Sequence, residues 1–193
     1  MSFPKSIWLL LAAFCLSLRA GAQALPAATM APHLSIFGDL SANTSNYNPD
    51  SSHYGTLYGA TLGAHLQTRP WLGLEARASF LESNTQGRQA EHEKGIYFGP
   101  RGLFIHRRLR VDGLVLGGIA HSAYPAFPLT VEANGQDLFR YSTRPALDVG
   151  GGVDFWLNPR LSWRTGEVMY NHVFGAREPE GVSFSTGLIV RIF

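Results

Sequence analysis

The stretch VSFSTGLIVRIF, Val182 to Phe193, decides the fold. In an extended chain successive side chains point to opposite faces, so Leu188, Val190 and Ile192 share one face while Ser185, Gly187 and Arg191 share the other. This is a strand with one apolar and one polar side. Whether the apolar side looks into a core or out into lipid has to come from the rest of the chain.

The opposite end of the chain supplies the route. Lys5 gives a positive start, Ile7 to Leu18 (IWLLLAAFCLSL) an apolar run, and Ala22-Gln23-Ala24 a small-x-small cleavage pattern. Residues 1–24 therefore read as a cleaved signal peptide, with a second possible cut after Ala22, and residues 25–193 as the mature domain. Cys15 is the single cysteine. It lies within the apolar run behind the bulky Phe14, which argues against lipidation there, and its removal would leave the mature chain without disulfides, thiolate metal ligands or a cysteine nucleophile.

The remaining length, 193 less 24 residues, is that of one domain. No later segment approaches the ~18 consecutive apolar residues of a spanning helix, so insertion into a membrane would have to use strands. With a formal charge of +2, 16% charged residues and scattered arginines, nothing points to nucleic acid. Twenty-one glycines suit a narrow barrel better than a helical domain.

Period-two alternation recurs along the mature chain. His33 to Asn43 sets Leu34, Ile36, Leu40 and Ala42 against Ser35, Asp39 and Ser41; Tyr54 to Leu66 sets Tyr58, Ala60, Leu62 and Ala64 against Gly59, Thr61, Gly63 and His65. Trp71 to Leu81 opposes Leu72, Leu74, Ala76, Ala78 and Phe80 to Gly73, Glu75, Arg77 and Ser79. Gly95 to Ile105 is interrupted by Pro100, which lacks a ladder donor and predicts a bulge. In Val111 to Ala120 the residues Leu114 and Leu116 blur the pattern. Thr143 to Leu157 restores it, and Leu161 to His172 keeps it if a bulge near Gly166 leaves Glu167 on the polar face and Val168 and Tyr170 on the apolar one. With Val182 to Phe193 these make eight strands.

Short links, Gln67 to Pro70, His106 to Arg110 and Asn158 to Arg160, alternate with long polar ones, Thr44 to His53, Glu82 to Lys94, His121 to Tyr141 and Phe174 to Gly181. Alternating apolar-out, polar-in strands with alternating short and long connections predict an all-β fold: a closed, eight-stranded, antiparallel, up-and-down transmembrane β-barrel. Short turns and both termini then lie on the periplasmic side. Trp71, Trp156 and Trp163 all fall near short turns and read as an aromatic girdle at that interface.

The polar face carries Asp39, Glu75, Asp112, Asp148 and Asp154 with Arg77, Arg101, Arg164 and Arg191. Eight strands enclose a space only wide enough for side chains, so these charges are expected to pair as a structural network and to leave no open pore. Gly150-Gly151-Gly152 precedes more strand rather than a helix, which removes a phosphate-loop reading. No histidine grouping has metal-ligand spacing, and no cofactor is expected. Tyr124, Phe127, Leu129 and Phe139 in the longest link would extend the adjacent strands above the bilayer or form an adhesive patch.

The leader, the alternating strands, Gly150-Gly151-Gly152-Val153-Asp154, Leu161-Ser162-Trp163-Arg164 and the ending Ser185 to Phe193 together resemble the small bacterial outer-membrane barrels, OmpA-like transmembrane domains and OmpX-like proteins. The resemblance covers the mature chain. It implies location in the bacterial outer membrane among lipid and lipopolysaccharide, a monomer, and folding by the barrel-assembly machinery with Phe193 as its signal, although Phe193 lies out of phase with the apolar stripe ending at Ile192. Since the sequence stops with the last strand, a following peptidoglycan-binding domain and cell-wall tethering are not expected. The expected role is structural, adhesive or surface-interacting, carried by the external loops and without a catalytic site.

Two alternatives belong to other classes. Some small barrels are lipid A deacylases with a His and Ser pair, which directs attention to His121-Ser122; adjacent strand residues, however, point to opposite faces. A soluble lipocalin-like carrier would instead put its apolar stripes inside and its charges outside.

Overall fold

The computed structural model describes residues 33–46, 55–83, 91–125, 139–175 and 180–192. The segment read as a signal peptide, the tips of the four long links and Phe193 lie outside these. Eight strands follow one another: β1 (His33–Asn46), β2 (Gly55–Arg69), β3 (Leu72–Ser83), β4 (Glu91–His106), β5 (Leu109–Pro125), β6 (Phe139–Trp156), β7 (Leu161–Val173) and β8 (Glu180–Arg191). Each is antiparallel to its sequence neighbours, and β8 pairs with β1 to close the barrel.

Alternation sets which side is out. Leu40, Leu62, Ile96, Phe98, Ile119, Val149, Val168 and Leu188 are exposed on the outer wall, while Ser35, Asp39, Glu75, Arg101 and Asp154 are buried in the lumen. Leu40 and Ile96 are 73% and 72% exposed. A belt of this kind would be an adhesive liability in water and is the normal wall of a barrel solvated by acyl chains. The apolar stripes face outward, opposite to a lipocalin-like carrier.

The short connections are tight. Arg107-Arg108 link β4 to β5 with Arg107 at φ 53°, the left-handed region that L side chains occupy only at a cost. Before β7 the Asn158 carboxamide oxygen accepts from the Arg160 and Leu161 amides at 2.8 Å each, an Asx-type turn.

Three local expectations meet the structure differently. The bulge on β7 is present: Val153 pairs with Gly166 and Asp154 with Arg164, so the two residues Thr165 and Gly166 shift the register and Glu167 stays inside. Pro100 makes no bulge. It faces outward opposite Leu74, and the ladder between β4 and β5 skips Gly99 and Pro100 and resumes in the same register at Arg101 and Leu114, so the missing donor is accommodated without a kink. Leu114 and Leu116 do not blur the alternation, because both point into the lumen and pack with Tyr97, Ala120, Ala146, Met169 and Val173.

The strands also run beyond the expected ends on the long-link side. β5 continues to Pro125 and β6 starts at Phe139, paired in register along their length. At 17 and 18 residues they exceed the ~9–11 that cross a bilayer, so this hairpin projects past the belt.

Candidate functional site

The lumen is the candidate site, and it is filled in two zones. In the half nearer the short turns, four arginines and five carboxylates interlock. Arg101 from β4 places Nη1 2.5 Å from Glu75 Oε2 on β3 and Nη2 2.5 Å from Asp112 Oδ2 on β5. Arg77 from β3 donates to Glu75 and spans the lumen to Glu167 of β7, Nη1 to Oε1 2.9 Å. Arg164 from β7 reaches Asp39 Oδ2 at 2.6 Å, and Arg110 from β5 donates through Nε to Asp154 at 2.7 Å. The Arg164 guanidinium also lies over the Phe37 ring, 4.4 Å from its centroid.

Every member of this network is buried. Desolvating that many charges is expensive, so the network is not a simple source of stability. Guanidiniums from β3, β4, β5 and β7 converge inside the bore.

Of the nine charges singled out in the sequence, seven meet here: Asp39, Glu75, Arg77, Arg101, Asp112, Asp154 and Arg164. Asp148 sits higher, accepting from Asn171 Nδ2 at 2.9 Å, and Arg191 lies apart with its guanidinium 5.0 Å from the Trp156 ring. Arg110 and Glu167 belong to the network and were not among the nine. Arg110 reads as part of a turn until the turn is known to be two residues long, whereas Glu167 already reads as inward in the sequence, through the bulge before it, without being counted with the lumen charges.

The three tryptophans do not form one girdle. Trp71 and Trp163 are exposed at 53% and 46%, whereas Trp156 shares the inward register of Asp154 and stacks against Arg191. Strand parity separates Trp156 from Trp163, while Trp71 lies in the turn before β3.

Above the network the lumen divides. The β4–β7 side is plugged by the Leu114, Leu116 and Met169 cluster. Beside that cluster, and sharing Tyr97 with it, lies a polar cavity of about 20 Å³ lined by residues including Ser41, Asn43, Ser79, Glu93, Tyr97 and Asp148.

On the outer wall, beyond the belt at the long-link end, rings and polar groups replace aliphatic side chains. His121 Nδ1 lies 2.8 Å from Thr143 Oγ1, and the His92 and His121 rings are 6.1 Å apart. Tyr170 donates to Glu180 at 3.1 Å, with His172 Nδ1 3.0 Å from the same carboxylate. Ser122 is buried in the lumen while His121 is outward, so these two side chains lie on opposite sides of the wall.

No protein family and no curated protein matches this chain. Solved structures do. Neisserial surface protein A is similar with a TM-score of 0.65 at 12% identity, covering 81% of this chain and 96% of that one. Ail, the attachment invasion locus protein of Yersinia pestis, solved with the heparin analogue sucrose octasulfate, gives 0.60 at 14%, covering 84% and 100%. The outer-membrane protein OprG of Pseudomonas aeruginosa gives 0.58 at 10%, covering 84% and 96%. The chain has the fold of the small bacterial outer-membrane β-barrels.

Proposed function

We propose that this protein is a monomeric, non-conducting outer-membrane barrel that acts through its long-link end, in surface integrity, adhesion or contact with ligands. The observation that carries the reading is the filled lumen: with Arg77, Arg101, Arg110 and Arg164 tied to carboxylates across the bore, the barrel is a rigid stake rather than a pore. The apolar belt supports a seat in the outer membrane among lipid and lipopolysaccharide, and export of such a chain would call on the barrel-assembly machinery. Rigid support beneath exposed links is the arrangement in which links carry recognition.

The test has two arms. Purified protein in planar bilayers is expected to give no steady conductance steps, and cells carrying a chain with residues 126–138 deleted are expected to lose surface adhesion while the barrel still folds. Open, voltage-independent steps in the first arm would overturn the non-conducting reading. Unchanged adhesion after deletion of each long link in turn would overturn the surface role.

A further inference from the structure

Seven carboxylates but only four guanidiniums are buried among the described residues of the lumen. Asp39, Glu75, Asp112, Asp154 and Glu167 each meet an arginine. Glu93 on β4 and Asp148 on β6 do not. Both are 4% exposed, both line the 20 Å³ cavity above the network, and neither takes part in the arginine pairs that join the other five. Arg77 reaches the same cavity, but its guanidinium is held by Glu75 and Glu167.

Two carboxylates without an ion-pair partner on one small cavity repel each other and are costly to desolvate. A second observation identifies what would relieve them. Asn43 on β1 lines the cavity with its side chain 1% exposed, and its Oδ1 has no hydrogen-bond partner; Oδ1 of Asn171, whose Nδ2 already donates to Asp148, has none either. Amide oxygens lacking donors and carboxylates lacking cations want the same thing, a positive centre. Serine hydroxyls at positions 41, 79, 183 and 185 add further oxygens to a lining that also holds Leu81, Tyr97 and the Arg77 guanidinium already tied to Glu75 and Glu167.

We propose that this upper-lumen cavity binds one hard divalent cation, Ca²⁺ in the first instance, through Glu93 and Asp148 with the amide oxygens of Asn43 and Asn171. Oxygen-only donors select hard cations over zinc or copper, and two carboxylates balance a double positive charge. A cavity of about 20 Å³ takes one water-sized sphere, and therefore one ion. Among the described residues no third acidic or histidine side chain joins the pair, which places the affinity in the weak range of roughly 0.1–1 mM typical of sparsely charged calcium sites.

The experiment uses the full chain folded in detergent micelles, stripped with EDTA at pH 7.5 and titrated with CaCl2, with ionic strength matched by NaCl. Ca²⁺ is expected to raise the thermal unfolding midpoint by several degrees, half-maximally near that concentration. The Glu93→Gln, Asp148→Asn double variant is expected to keep folded gel mobility and lose the calcium response. Tb³⁺ offers a second readout: its emission, sensitised through Tyr97 in the cavity wall, should fall on adding Ca²⁺ and in Tyr97→Phe. The proposal is overturned if the midpoint ignores Ca²⁺ up to 10-fold above that range, or if the double variant responds equally. It is also overturned if the wild type ignores Ca²⁺ but loses stability between pH 6 and 8 in a way the double variant does not, which would mean that the pair shares a proton instead.

Discussion

Arg164 on β7 and Asp39 on β1 meet with Nη1 2.6 Å from Oδ2, although β8 lies between their strands. Gly187 of β8 is in register with both, opposite Arg164 on one side and Asp39 on the other. A side chain at position 187 would stand between the two charges, so the glycine is the gap through which the ion pair forms.

Gly187→Ala should therefore destabilise the barrel. A β-carbon there would come within 2.2 Å of the Gly38 carbonyl oxygen and 2.4 Å of Asp39 Oδ1, so backbone must move, at a cost of about 1–3 kcal/mol by analogy with overpacked cores. Gly117→Ala is the control: it meets nothing within 4 Å and should change stability by less than ~0.5 kcal/mol. Urea unfolding in micelles, followed by tryptophan fluorescence, compares the two.

Arg101 contacts Glu75, Asp112 and Asp154, more carboxylates than it can leave unpaired cheaply. Arg101→Met is expected to cost roughly 3–5 kcal/mol, the usual penalty for breaking a buried pair from one side. Adding Glu75→Gln and Asp112→Asn should restore most of it, because neutral amides no longer need the guanidinium. Equal loss in the single and triple variants would show that packing rather than charge governs the site.

Leu62, 56% exposed at the middle of β2, should lie near the bilayer centre. Leu62→Arg is expected to lower the folding free energy in lipid vesicles by roughly 2–4 kcal/mol, and Thr44→Arg, beside the long-link end of β1, by about 0–1 kcal/mol. Similar effects at both positions would contradict the placement of the belt.

Arg107 holds a left-handed conformation at φ 53° in a two-residue turn. Replacing it with glycine removes strain of about 1 kcal/mol but adds freedom to the unfolded chain, for a net gain near 0.5 kcal/mol. The unfolding midpoint of Arg107→Gly, set beside that of Arg107→Val, which should fall, tests this. A drop in both would mean that the side chain of Arg107 matters more than its backbone.

Much of the fold can be read from the chain. Outward Leu72, Leu74 and Phe80 against inward Glu75 and Arg77 are a matter of odd and even positions, and even the offset at Gly166 follows from the need to keep Glu167 off the lipid face. Glu93 was hidden for a different reason. It sits in a run of mixed charge, EHEK, that reads as hydrated loop, and only the extension of β4 back to Glu91 turns it inward. Trp156 was misplaced because distance from a turn says nothing about parity.

The sequence by itself determined which side chains leave the sheet on which face and in what order the strands follow, because a two-residue period and short hairpin links are local properties of a chain. Tertiary structure alone decided who meets whom across the bore. Arg77 finds Glu167 ninety positions away, and Glu93 and Asp148 are left facing one cavity, because closure of β8 onto β1 fixes the stagger of all eight strands at once, and no single strand carries that information.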